Sequence, residues 1–146
     1  MEVWDDKERL MADQAEAIGF VAENHRAVLS TRRAEGDPQM SPVTVGAGGD
    51  KIIISSRETA YKVRNIRRDP RVSLCVFTDQ FFGRWIQVDG TADLLGLPDA
   101  MEPLVEYYRG IRGEHPDWDD YRRVMEQEQR LVIRIAIERV GPTRSG

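Results

Sequence analysis

Six basic residues (Arg57, Lys62, Arg64, Arg67, Arg68 and Arg71) share the span from Arg57 to Arg71 with only two acidic ones, Glu58 and Asp69. Charge concentrated in this way binds anions. The whole chain of 146 residues carries a net charge of −4, so this is a basic island in an otherwise acidic protein. It points to a dedicated anion site rather than a nucleic-acid surface, for which the net charge is usually positive. The island runs off an apolar strand, Lys51-Ile52-Ile53-Ile54, into a short helix closed by Asp69-Pro70. Thr59 is the expected N-cap, and Lys62 then sits one turn in. Free backbone N–H groups and an ammonium would converge on one small volume, for which phosphate is the natural occupant. Ala60, Val63 and Ile66 recur at helical spacing and would turn to the core, leaving Lys62, Asn65, Arg67 and Arg68 for solvent or ligand. A solvated basic helix face has the same composition.

Other chemistry is hard to assemble from these residues. The two histidines, His25 and His115, are far apart in sequence and give no pair at metal-ligand spacing. His25, at a helix end, reads as a capping or surface residue. The single cysteine, Cys75, allows no intrachain disulfide and reads as a small core residue. No GxSxG elbow, GxGxxG turn or GxxxxGK[ST] loop occurs. Asp117, Asp119 and Asp120 read as first-turn helix acids rather than metal ligands. No catalytic residue and no metal site is therefore assigned, and if the chain is an enzyme, a bound cofactor supplies the reactivity.

The elements that must position the island belong to a single domain of ordinary globular composition, 40% hydrophobic and 32% charged. No window reaches a membrane span, and the opening MEVWDDKERL is acidic where a secretory signal is basic and then apolar; a cytoplasmic location is the expectation. Residues 5–23 read as helix, with Gly19 and the polar stretch near Asp13 allowing a break into two. Short strands follow at 27–31, 38–46 and 51–56, separated by Gly- and Asp-rich turns. Pro42 cannot donate to a ladder and belongs at an edge or bulge. After the basic helix, residues 71–78 form a strand, and a loop carries Phe81 and Phe82. Residues 84–95 alternate, with Gly90 marking a bulge or sharp bend. Met101, Leu104, Val105, Tyr108 and Ile111 line one face of a helix that stops near Gly113. A second helix after Pro116 has a Trp118, Tyr121 and Met125 seam. Residues 130–138 alternate again, and the tail from 140 onward looks frayed. About six antiparallel strands with flanking helices make an α+β fold built on a small barrel.

The run AVLSTRRAEGDPQMSPVTVGAGGDKIIISSRETAYKVRNIRRDPRVSLCVF resembles the pyridoxamine 5'-phosphate oxidase-like split-barrel flavoproteins. KVRNIRRDPR, VDGTAD and GEHPDWDDYRRVM look most like the branch of that family that uses the deazaflavin coenzyme F420. The similarity spans roughly residues 17–139 and leaves the N-terminal extension outside. It implies an FMN-binding-type split barrel, homodimeric, with two cofactors at the subunit interface. By the same resemblance Lys62 and Asn65, with Ser55 and Ser56 at the strand end, hold the cofactor phosphate, and Tyr61 stands beside it. Met40, Ser41, Pro42 and Val43 run along the ring system, partly through backbone groups, and Arg84 and Trp85 complete the site from the partner subunit. Ala60 falls where close relatives can carry a basic residue.

The implied activity is hydride transfer between reduced F420 and a small, electron-poor organic acceptor, with no nucleic acid or membrane partner. F420 is favoured over FMN because its lactyl and oligoglutamyl tail adds carboxylates to the phosphate. Arg57, Arg64, Arg67 and Arg68 supply more positive charge than one phosphate needs. An FMN-dependent oxidase or reductase, and a non-catalytic F420 or ligand-binding protein, are the alternatives.

Overall fold

The computed structural model describes residues 5–145; the first four residues of the extension and Gly146 lie outside them. Helix α1 (Asp6–Glu23) is one continuous helix. Asp5 caps it, accepting from the Glu8 N–H at 2.7 Å while Glu8 reaches back, a reciprocal capping box. Seven strands follow where about six were expected: β1 (Arg26–Arg32), β2 (Pro38–Thr44), β3 (Gly46–Gly48), β4 (Lys51–Arg57), β5 (Arg71–Phe77), β6 (Arg84–Leu95) and β7 (Arg130–Ser145). Helix α2 (Tyr61–Arg68) lies between β4 and β5, and α3 (Met101–Arg112) and α4 (Trp118–Gln127) lie between β6 and β7.

All pairings are antiparallel, and the order across the sheet is β2-β1-β5-β6-β7-β4-β3. The two outermost strands, β2 and β3, are separated in the chain by Val45 alone. A sheet whose opposite edges are joined by one residue has to curl until they meet, which makes the half-closed barrel. Val45 is fully buried at this corner. Its N–H donates to the His25 carbonyl at 2.8 Å, and His25 Nδ1 donates to the Val45 carbonyl at 2.9 Å. His25 is thus a tether for the corner rather than a cap. Pro42 sits on the edge strand β2, as its missing donor requires.

Alternation fills the barrel. Leu29, Ile52, Ile54, Leu74, Val88, Ile133 and Ile135 meet inside it, with Ala17, Phe20 and Val21 of α1 and Val63 and Ile66 of α2 packed on them. Ile53 and Val132 point the other way and bury a second cluster under α3 and α4, with Leu104, Val105 and Tyr121. The β4–β7 ribbon is therefore covered on both faces. Strand β7 runs on through the expected frayed tail to Ser145, paired with Arg84 of β6, because the twelve-residue β6 offers it a ladder. The β6–β7 register shifts at Gly90, the expected bulge.

One side chain departs from expectation. Cys75 is half-exposed on the outer side of β5, where its partial burial pushes the thiol pKa up. Phe81 and Phe82 are each 75% exposed and stack edge-to-face on one another. No helix of the described residues is long and apolar enough to cross a membrane, and no three potential metal ligands come together among them.

Candidate functional site

Strand β3 ends its pairing with β4 at Ile53, so Ser55, Ser56 and Arg57 pair only with β7 and leave one edge free. The curl brings the end of β2 toward this edge, and α3 and α4 lie over it. The result is a cleft of about 730 Å³. Pro42, Val43 and Thr44 form one wall. Ser55, Ser56, Arg57, Thr59, Ala60 and Lys62 form the floor, and Tyr107, Tyr108, Ile111, Arg112, Tyr121, Met125 and Arg130 form the far wall. The Tyr107 hydroxyl donates to the Thr44 carbonyl at 2.8 Å, fastening α3 to the end of β2. Burial raises its pKa, and the nearby Ser55 backbone and Arg130 and Arg112 charges oppose that. Tyr121, bonded to the Leu104 carbonyl, is pushed up to about 12, first by burial and then by the neighbouring Tyr107.

Electrostatically the cleft is one-sided. Arg57, Lys62, Arg112 and Arg130 line it, and no carboxylate does. Burial, and secondarily the charge of Arg130, lower the Lys62 pKa, so its cationic form is short of a counter-charge. An anion in the cleft supplies one. Helix α2 begins here, but Ala60 rather than Thr59 is its N-cap, and no side chain caps its first N–H groups.

Of the eleven residues named from the sequence, Pro42, Val43, Ser55, Ser56 and Lys62 meet in the cleft, whereas six do not line it. Met40 and Tyr61 point to solvent, 63% and 73% exposed. The buried Oγ of Ser41 has no hydrogen-bond partner among the described residues. Arg84 and Trp85 begin β6 away from the cleft. Arg84 bonds Glu16 at 2.7 Å and lies over the Phe20 ring. Asn65, expected to face solvent or ligand, is only 7% exposed. Its amide donates to Thr31 Oγ1 at 3.0 Å, and its carbonyl accepts from Arg68 at 2.9 Å. It ties α2 to β1 instead, a tertiary contact that helical spacing cannot reveal.

Asn65→Ala is expected to destabilise the protein by about 1–3 kcal/mol, because Thr31 loses a buried donor and Arg68 an acceptor. Urea denaturation would measure it. A change under about 0.5 kcal/mol would contradict the network.

Sequence reasoning missed the far wall. Tyr108, Ile111, Tyr121 and Met125 read as core-facing seams, and nothing local says that α3 and α4 fold over β4. The one available signal was Arg57 and Arg130, charged residues at the ends of two apolar strands.

A curled antiparallel barrel with a cation-lined cleft at its open side is a split barrel. The chain belongs to the pyridoxamine 5'-phosphate oxidase family, whose model matches residues 13–144. It is similar to an F420H(2)-dependent biliverdin reductase of Mycobacterium tuberculosis, with 29% identity over 126 residues, covering 86% of this chain and 84% of that protein. Among solved structures it resembles a conserved hypothetical protein from M. tuberculosis, at 23% identity and a TM-score of 0.71, covering 94% of this chain and 83% of the other. It also resembles a protein described as an F420 reductase, at 18% identity and a TM-score of 0.66, covering 84% and 94%. The two structural likenesses speak to the fold.

Proposed function

We propose that this chain is a cytoplasmic F420-dependent oxidoreductase, with the cofactor phosphate at Lys62 and a small, electron-poor organic molecule as hydride acceptor. The observation that carries the reading is the set of four cations lining one cleft without a lining carboxylate. One phosphate needs fewer. A phosphate followed by several carboxylates engages more of them, which favours F420 over FMN. Kinship with an F420H(2)-dependent reductase points the same way.

The deazaflavin supplies the hydride chemistry when bound. The chain's own residues bind, orient and exclude water. Lys62, Ser55 and Ser56 would hold the phosphate, and Pro42 and Val43, with β2 backbone groups, would lie along the ring. Asn65 and Tyr61 flank Lys62 on α2, and Met40 and Ser41 continue the β2 wall. Arg84 and Trp85 would reach a cleft only from a second copy, so a homodimer is part of the reading.

Fluorescence titration with oxidised F420 and then FMN, at two salt concentrations, tests it. Selective F420 binding that weakens with salt is expected. Tighter FMN binding would move the chain to a flavin-dependent role. Binding of neither would remove the cofactor assignment. Tight F420 binding without consumption of the reduced form across an acceptor panel would indicate a carrier.

A further inference from the structure

Beside the cleft, three consecutive residues, Glu128 to Arg130, and Arg57 opposite them are each placed at a local cost. Arg57 and Arg130 stand directly opposite one another in the β4–β7 ladder, a like-charge cross-strand pair. Glu128 is the C-cap of α4, where the helix dipole disfavours a carboxylate, and no basic residue lies in that last turn. Gln129 adopts φ 52°, a left-handed conformation uncommon outside glycine, and its carbonyl accepts from the Glu58 N–H at 3.1 Å. Together they accomplish one thing. The turn delivers Glu128 to both arginines, 2.9 Å from Arg130 and 3.3 Å from Arg57. Local costs clustered at a cleft mark function more than stability.

We propose that Glu128 is the internal counter-ion of the cleft, which neutralises one of the two arginines and so sets how much anionic charge a ligand must carry to bind. The proposal deepens the F420 reading and rests on it for the identity of the ligand. Lys62 and Arg112 have no ion pair among the described residues, whereas Arg57 and Arg130 share one carboxylate. A cleft tuned in this way holds a phosphate bearing further carboxylates and limits the retention of smaller stray polyanions. The Arg130 hydrogen bond, and then both arginine charges, hold the Glu128 carboxyl below the usual carboxylate range against the opposing effect of burial, so it is ionised at neutral pH. A role as mere stitching between α4 and β7 predicts the opposite sign on substitution.

The test is Glu128→Gln in the full chain, with Glu128→Asp as the charge-retaining control. Binding of oxidised F420 and of inorganic pyrophosphate would be measured at low and high salt. Glu128→Gln is expected to bind both about fivefold tighter at low salt, the gain shrinking as salt rises, with Glu128→Asp close to the wild type. Equal or weaker pyrophosphate binding by Glu128→Gln overturns the proposal. If the wild type ignores F420, the cofactor reading fails, and the pyrophosphate comparison still decides the role of Glu128. Should Glu128→Gln fail to fold, Arg57→Gln takes its place. That variant leaves Glu128 to Arg130 alone, and pyrophosphate binding is expected to weaken by more than about threefold. An unchanged affinity there overturns the proposal as well.

Discussion

Replacing Lys62 with alanine is expected to weaken binding of oxidised F420 by about 1.5–3 kcal/mol, roughly ten- to 150-fold in Kd. The magnitude follows from the loss of a charge-assisted hydrogen bond in a partly desolvated site. It also follows from the neighbours, because Arg57 and Arg130 are already engaged with Glu128 and cannot fully substitute. Stability should barely move. Lys62 makes no ion pair among the described residues, and its pKa is lowered by burial and by Arg130, so the ammonium contributes little to holding the fold. Isothermal titration beside a thermal melt separates the two effects. Affinity within twofold of the wild type would return the α2 cations to the status of a solvated face.

Gly90→Ala is expected to cost about 3 kcal/mol of folding stability. A Cβ at this position would run into the Ala136 carbonyl oxygen and lie 3.0 Å from Ile135 Cγ2. Backbone cannot swing aside as a flexible side chain can. Gly90 lies where the β6–β7 register shifts, and those two strands form the longest ladder of the sheet. Relieving the clash would pull β7 away from β6 and strain the β4–β7 ribbon that floors the cleft. The measurement is the denaturant midpoint, with F420 affinity as a second reading. A midpoint unchanged from the wild type would mean that the bulge opens freely, contrary to its tight packing.

The outline of this protein was legible in its sequence because its signals are local. Period-two alternation in residues 84–95 and 130–138, the missing donor of Pro42 and the glycine in mid-strand each constrain the backbone around them. They located the strands and the bulge, and the charge island located α2 and Lys62. Errors arose wherever a residue's surroundings come from distant chain. Thr59 has the right chemistry for a cap, but the turn after β4 starts the helix a residue later. Asn65 has a polar side chain on a basic helix, yet Thr31 of β1 lies beneath it.

The sequence by itself determined which residues could bind an anion, which strands alternate and which face of each helix is apolar, since these depend on residue type and spacing over one or two turns. The tertiary structure alone decided that Val45 would join opposite edges of the sheet, that α3 and α4 would cover β4, and that Arg57 and Arg130 would meet across a ladder. Those outcomes depend on how a curled sheet closes and buries its second face, a balance summed over the whole chain that no short window of sequence contains.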